Sequence, residues 1–218
     1  MSDDPARRVV GDLGLRGDRF AALTYEAMTP EQRTMTDAVL AGQRASMQGP
    51  YNVLLRSPRM GLLAQAFGEQ TRFGSSLPLR LNELAILVTA RCWNCEFMWH
   101  AHRAIGLREG LAESVVDAIA AGRPPSGLRD DEAVVHRFCT ELLDSKQVSD
   151  GTYASAKAAF GERGIVDLMG TLAYYTLVGM VLNVDRYPLP AGAESTLPAG
   201  AHDGASPNAI DCAGGQER

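Results

Sequence analysis

The sequence predicts an all-α protein, and three observations carry that expectation. Apolar residues recur at helical spacing along most of the chain, as in MGLLAQAFGEQTRF after Pro58. Helix start and stop signals divide these stretches into segments of ordinary helical length, with Thr29-Pro30, Ser57-Pro58 and Asp130 opening and Gly110, Gly122 and Gly161 closing. Sustained apolar–polar alternation between turns, the mark of half-buried strands, is absent. With 218 residues, 45% of them hydrophobic and 22% charged, the chain suits one domain with a buried core.

The elements follow in order. Residues 1–18 are polar and broken by Gly11, Gly14 and Gly17, which predicts a flexible N-terminal arm. FAALTYEAM, from Phe20 to Met28, predicts a short helix. Thr29, Pro30 and Gln32 then form a start signal, with a cap, a proline in the first turn and a capping-box partner. That helix should run to about Gln43, before Gly49-Pro50 breaks the chain. Ser57-Pro58 opens the next helix, and Gly74-Ser75-Ser76 makes a loop. LNELAILVTARCW predicts a helix buried on most sides, and Cys95 to Leu107 a second, with Asn94 as the cap between them. Helices are further expected over Glu113–Ala121, Asp130–Leu143, Ser149–Phe160 and Ile165–Tyr187. In the last, Gly170, Ala173 and Gly179 would permit close packing. From Pro188 the composition turns to Pro, Gly, Ala and Ser. Such a segment buries too little apolar surface to offset chain entropy, so 188–218 is expected to be a disordered tail, with His202 and Cys212 as bystanders. The helical domain is thus 19–187.

The net charge of −5, without a clustered basic face, argues against nucleic acid as a partner. The first residues have no apolar core of the secretory kind, and the apolar window 172–182 reads as too short and too polar for a membrane span. A cytoplasmic protein without membrane contact is the expectation. Its cysteines would then be catalytic, metal-binding or core residues before they were structural disulfides.

Chemistry concentrates between Glu83 and Gly110, where two cysteines, two tryptophans and two histidines crowd together. On a helix, Cys95, Met98, Trp99 and His102 share one face, and Cys92 joins it if the helix extends back a turn. His100 lies about 200° round from His102 and points elsewhere. Glu83 sits on the preceding helix, and a hairpin of the two could bring its carboxylate beside His102. One carboxylate and one imidazole suffice for a general acid and base. A thiol near a helix start and beside Arg91 could become a nucleophile, with Glu96 opposing it. Blander readings stand beside these. Cys92 can be a small core residue, Trp93 and Trp99 packing residues, and His100 a surface histidine. A zinc site from Cys92, Cys95, His100 and His102 is disfavoured because the helix sends the two histidines apart, so no metal is expected. His136 and Cys139 read as core packing.

This stretch resembles the carboxymuconolactone decarboxylase-like family, which includes alkylhydroperoxidase D and its relatives. The resemblance spans roughly residues 50–190. In the peroxidase branch a Glu lies twelve residues before the first Cys of a Cys-x-x-Cys pair, and a His lies four residues after the second. Glu83, Cys95 and His102 match the Glu, the first Cys and the His. Met98 occupies the second Cys position, and its thioether cannot form a sulfenic acid or a disulfide. Cys92 and Cys95 therefore form a pair offset by one turn. ARCWNCEFMWHAH is nearer the decarboxylase branch in Arg91, Trp93, Asn94, Trp99 and His102. The resemblance implies an all-α alkylhydroperoxidase D-like bundle with a central helix hairpin, assembled as trimers or hexamers. It implies no cofactor and a small-molecule substrate. The leading expectation is a decarboxylase-like lyase acting on a small carboxylated or lactone substrate, with His102 as acid or base, Glu83 orienting it, and Arg91 free to bind a substrate carboxylate. The alternatives are a thiol peroxidase using Cys95 and Cys92, and a non-catalytic binding or assembly member.

Overall fold

A computed structural model of the chain describes residues 13–198. Among them there are eight α-helices and no strand: α1 (Pro30–Ala41), α2 (Tyr51–Leu54), α3 (Pro58–Phe73), α4 (Leu79–Cys92), α5 (Glu96–Arg108), α6 (Glu113–Ala120), α7 (Asp130–Ser145) and α8 (Asp150–Asp185). The all-α expectation holds, and so do most start signals. The Thr29 hydroxyl accepts from the Gln32 amide at 3.3 Å while the Gln32 side chain accepts from the Thr29 amide at 2.9 Å, closing the capping box of α1.

The bundle is arranged around α4. All ten residues from Leu81 to Ala90 are buried, because α5, α7 and α8 each lie along a different side of this helix. A helix apolar all round is stable only in such an enclosure. The polar residues it carries inward are therefore paired. Asn82 donates to the Thr71 carbonyl at 2.9 Å and accepts from the Thr171 hydroxyl at 2.7 Å, tying α3, α4 and α8 together. Arg80 pairs with Glu132 and, at 2.7 Å, with Asp131, clamping the start of α4 to α7. A second, smaller core joins α1, α2 and α3 through Met35, Val39, Tyr51 and Leu55.

Several elements differ from expectation. FAALTYEAM forms only a 3-10 turn at Tyr25–Ala27, since no residue of that turn is buried and nothing packs a longer helix there. The two helices expected over 149–160 and 165–187 are present as the two arms of α8, divided as expected by a non-helical break at Gly161 (φ 65°, ψ −179°), although the second arm takes up directly after the break. Glycine is the one residue that adopts this conformation without steric cost. Past the bend, Gly179 does allow a close approach: a Cβ there would meet Trp93 Cγ at 2.9 Å. Gly170 has ordinary clearance, and Ala173 faces outward. By length and composition α8 also qualifies as a membrane-crossing helix, with mean hydropathy 1.6, contrary to the reading of its apolar window. Half of that stretch is buried against the other helices.

The expected arm and tail meet the structure only at 13–18 and 188–198, and there both are pinned down. Leu15 is buried. The buried Asp185 carboxylate accepts from the amides of Arg19 at 3.1 Å and Phe20 at 2.9 Å. Leu197 is buried as well, and the Thr196 hydroxyl accepts from Trp99 Nε1 at 3.1 Å. A few apolar side chains and the unmet donor of a buried Trp are enough to hold segments whose composition reads as loose. His202 and Cys212 lie outside the described residues.

Candidate active site

The turn from α4 to α5 builds the site. α4 ends at Trp93, and Asn94 takes the left-handed conformation at φ 44°. The Cys95 amide reaches back to the Ala90 carbonyl at 2.9 Å and the Asn94 amide to the Arg91 carbonyl at 3.1 Å. This is the Schellman closure of a helix C-terminus, so Asn94 ends α4 where the sequence suggested a cap for α5. Cys95 occupies that cap position. The hairpin then runs α5 back along α4, and the expected meeting occurs: His102 Nδ1 lies 2.7 Å from Glu83 Oε2. Glu83 is wholly buried and His102 nearly so.

The second carboxylate oxygen, Glu83 Oε1, is buried without a hydrogen-bond partner. The His102 ring packs edge-on against Tyr175 of α8, with centroids 4.9 Å apart and planes at 87°. Tyr175 is also buried, its hydroxyl makes no well-formed hydrogen bond, and burial raises its pKa. Tyr175 was not foreseen in the sequence. The signal available was the Tyr174-Tyr175 doublet inside an apolar helix, because a buried Tyr hydroxyl ordinarily finds a partner.

The shared face of α5 is as expected: Cys95, Met98, Trp99 and His102 are all buried. Met98 stands one turn before His102 on this face. Cys95 lies two turns away, roughly 10 Å along the axis. Burial pushes its thiol up to about 11, outweighing the hydrogen bond it receives from the Met98 amide. Cys92 does not join this face, since α4 ends between the two cysteines. It is exposed, in the field of Lys146 and Asp144 near the end of α7. Both thiols are free. His100 is half-buried on another face of α5, and no group of three metal-ligating side chains converges among the described residues.

Arg91 does not face the Glu83–His102 pair. Its Nε donates to the Ala120 carbonyl at 2.8 Å, and its Nη1 donates to the Asn94 side chain. It straps the α4–α5 turn to α6, which holds two of its five donors there and points the guanidinium at the α6 end rather than at the pair. Trp99 is anchored through Thr196 and takes a packing role. Among the predicted site residues, then, the fold joins Glu83 and His102, keeps Cys95 and Met98 on their flank, and turns Cys92 and Arg91 elsewhere.

No family model matches the chain, and no curated protein is similar to it. Among solved structures it is similar to a protein of unknown function from Agrobacterium tumefaciens that is provisionally counted as the antioxidant defence protein AhpD. The two are 16% identical and superpose with a TM-score of 0.57, over 66% of this chain and 99% of that one. At this identity the likeness is one of fold. With its all-helical bundle and central α4–α5 hairpin, the chain has the alkylhydroperoxidase D-like fold.

Proposed function

We propose that the protein is a general acid–base enzyme of the decarboxylase-like kind, acting on a small carboxylated or lactone substrate through His102. The observation that carries the proposal is the buried 2.7 Å contact between His102 Nδ1 and Glu83 Oε2. A carboxylate on Nδ1 holds the proton there and leaves Nε2 to exchange one with substrate. Nε2 has no hydrogen bond within the described residues, and the side chain keeps a sliver of exposure, 10%. In a decarboxylation the carbon–carbon bond pair passes into an electron sink on the substrate as carbon dioxide leaves. Protonated His102 then delivers its Nε2 proton to the resulting carbanion or enolate. Glu83 stabilises the imidazolium at the moment it carries charge.

The surroundings of the sulfur atoms favour this reading over a thiol peroxidase. A peroxide-reducing thiol works as the thiolate. Cys95 is held protonated at neutral pH by its burial, and the sulfur one helical turn from His102 is the thioether of Met98. Cys92 and Cys95 sit in opposite environments on either side of the turn.

The deciding experiment is turnover of a panel of lactones and β-keto or unsaturated acids by wild type and His102→Ala, with far-UV circular dichroism as the folding control. The substitution is expected to cut turnover by about 10²–10⁴-fold. Unchanged turnover in the folded variant would remove the mechanism. In parallel, mild peroxide followed by peptide mass spectrometry is expected to leave Cys92 and Cys95 unlinked, and a Cys92–Cys95 disulfide would reinstate the thiol chemistry.

A further inference from the structure

We infer that Arg44 anchors a carboxylate of the ligand, in a polar subsite that Tyr51, Gln65, Tyr174 and Tyr175 build beside the His102–Glu83 pair. The inference rests on the acid–base reading only for what the ligand does after it binds.

The observation behind it is a line of buried polar groups with unfilled hydrogen-bonding capacity. Starting at the catalytic pair, Glu83 Oε1 is buried without a partner, and the Tyr175 hydroxyl is buried with no well-formed hydrogen bond, its interaction being with the Arg44 guanidinium. Tyr174 stacks edge-on against Tyr175, with centroids 5.2 Å apart. Next comes Tyr51, wholly buried, whose hydroxyl donates to Gln65 Oε1. The other end of that amide, Gln65 Nε2, is again buried and unpartnered. Native interiors rarely leave such groups unpaired, because each costs its desolvation with nothing in return. Here three with unfilled capacity lie in one neighbourhood, next to the residues proposed for catalysis.

The line ends on a cation. Arg44, in the segment between α1 and α2, is half-buried. Its guanidinium lies 5.8 Å from the Tyr51 ring centroid, and its charge is felt by Tyr174, Tyr51 and Tyr175. It forms no salt bridge among the described residues. A half-buried guanidinium among three tyrosines, with no carboxylate paired to it among the described residues, suits an anion. Arg72 adds positive potential at Tyr175.

The charges nearby limit the anion to a single negative charge. Glu69 lies close enough to be felt by Tyr51, and its carboxylate holds the Gln43 amide at 3.1 Å. Glu83 borders the other side. A dianion such as a phosphate monoester would carry one charge beyond Arg44 into low-dielectric surroundings flanked by two carboxylates. A monocarboxylate matches. Arg44 and the Gln65 amide can each donate to it, and so can the Tyr175 hydroxyl. The rings of Tyr51, Tyr174 and Tyr175 suit an apolar or unsaturated body. Since Tyr175 touches His102 at the other edge, a ligand held by Arg44 extends toward the imidazole.

The test is calorimetric titration of the full chain with acetate, benzoate and crotonate, each beside its neutral amide. At least one acid is expected to bind about tenfold or more tightly than its amide. Arg44→Gln should erase that preference, Arg44→Lys keep part of it, and Arg91→Gln leave it unchanged. His102→Ala should still bind the acid, which separates the subsite from catalysis: a panel without turnover but with Arg44-dependent binding would sink the enzyme and spare the subsite. As a readout that needs no variant, phenylglyoxal modification mapped by mass spectrometry should show Arg44 protected by the bound acid and Arg91 unaffected. Equal affinity for acids and amides in the wild type, or a preference that survives Arg44→Gln, overturns the assignment.

Discussion

At the scale of single residues, what matters is how one carboxylate is used. Glu83 puts one oxygen on His102 and leaves the other buried without a partner. Glu83→Gln keeps the shape but lets the amide present either its oxygen or its donor group to Nδ1. The orienting effect should weaken without collapse of the fold, and turnover should fall by about 10²-fold or more, less than for His102→Ala. Rates for the two variants on one substrate check the ordering; equal rates for Glu83→Gln and wild type would strip Glu83 of its role. Cys95 provides a second prediction. With its pKa pushed up to about 11 by burial, only about 10⁻⁴ of the thiol is ionised at pH 7. Iodoacetamide at that pH should label exposed Cys92 well before Cys95. The Cys95 rate should climb with pH past 9, for as long as the protein stays folded. Peptide mapping over a time course reads both, and early labelling of Cys95 would show that its thiol is activated after all.

At the scale of elements, the α4–α5 hairpin sets the distance between Glu83 and His102, and the hairpin depends on a left-handed Asn94 and a close contact at Gly179. Asn94→Ala places a Cβ-bearing residue without Asn's tolerance at positive φ and removes the acceptor for Arg91. It should lower stability by about 1–2 kcal/mol in urea unfolding. Gly179→Ala drives a methyl to 2.9 Å from Trp93 Cγ, in a residue whose indole donates to Thr176 and whose carbonyl accepts from Asn183. Over-packing there should cost about 1–3 kcal/mol. Gly106→Ala is the internal control. Its methyl would meet Leu111 Cδ1, also at 2.9 Å, but at the end of a flexible side chain, so the loss should be smaller. A larger loss at Gly106 than at Gly179 would show that the Trp93 contact does not brace the turn.

At the scale of the whole molecule, the surface carries a band of exposed apolar side chains. Met60, Leu63 and Phe67 of α3 are exposed at spacings of three and four, Leu63 to 68%. Beside them run Val166 and Met169 of α8, and Phe67 lies against Gly170 between the two rows. Apolar surface of this extent is usually covered by a partner. We propose that a second copy of this chain covers it, in a closed homo-oligomer. Light scattering coupled to size exclusion should give a multiple of the 23.4 kDa chain, and Leu63→Glu should shift it toward the monomer. A monodisperse monomer at micromolar concentration would rule the assembly out.

The sequence alone determined the parts of this protein that depend on local chemistry. Its helical class, the capping box at Thr29, the bend at Gly161 and the pairing of Glu83 with His102 all follow from spacing and from residues with narrow conformational preferences. The face shared by Cys95, Met98, Trp99 and His102 was legible for the same reason, since a helix converts sequence separation directly into direction. What only the tertiary structure decided is which groups from distant segments share a desolvated space. Arg91 looked available until its bonds to Ala120 and Asn94 turned it toward α6. Arg44 and Tyr51 carry no local mark of function, yet they meet Tyr175 because α8 folds back over α3 and α4. The loose-looking residues 188–198 are held by Leu197 and a tryptophan nearly a hundred positions away. Burial and partnership are properties of the packed whole, and no window of sequence contains them.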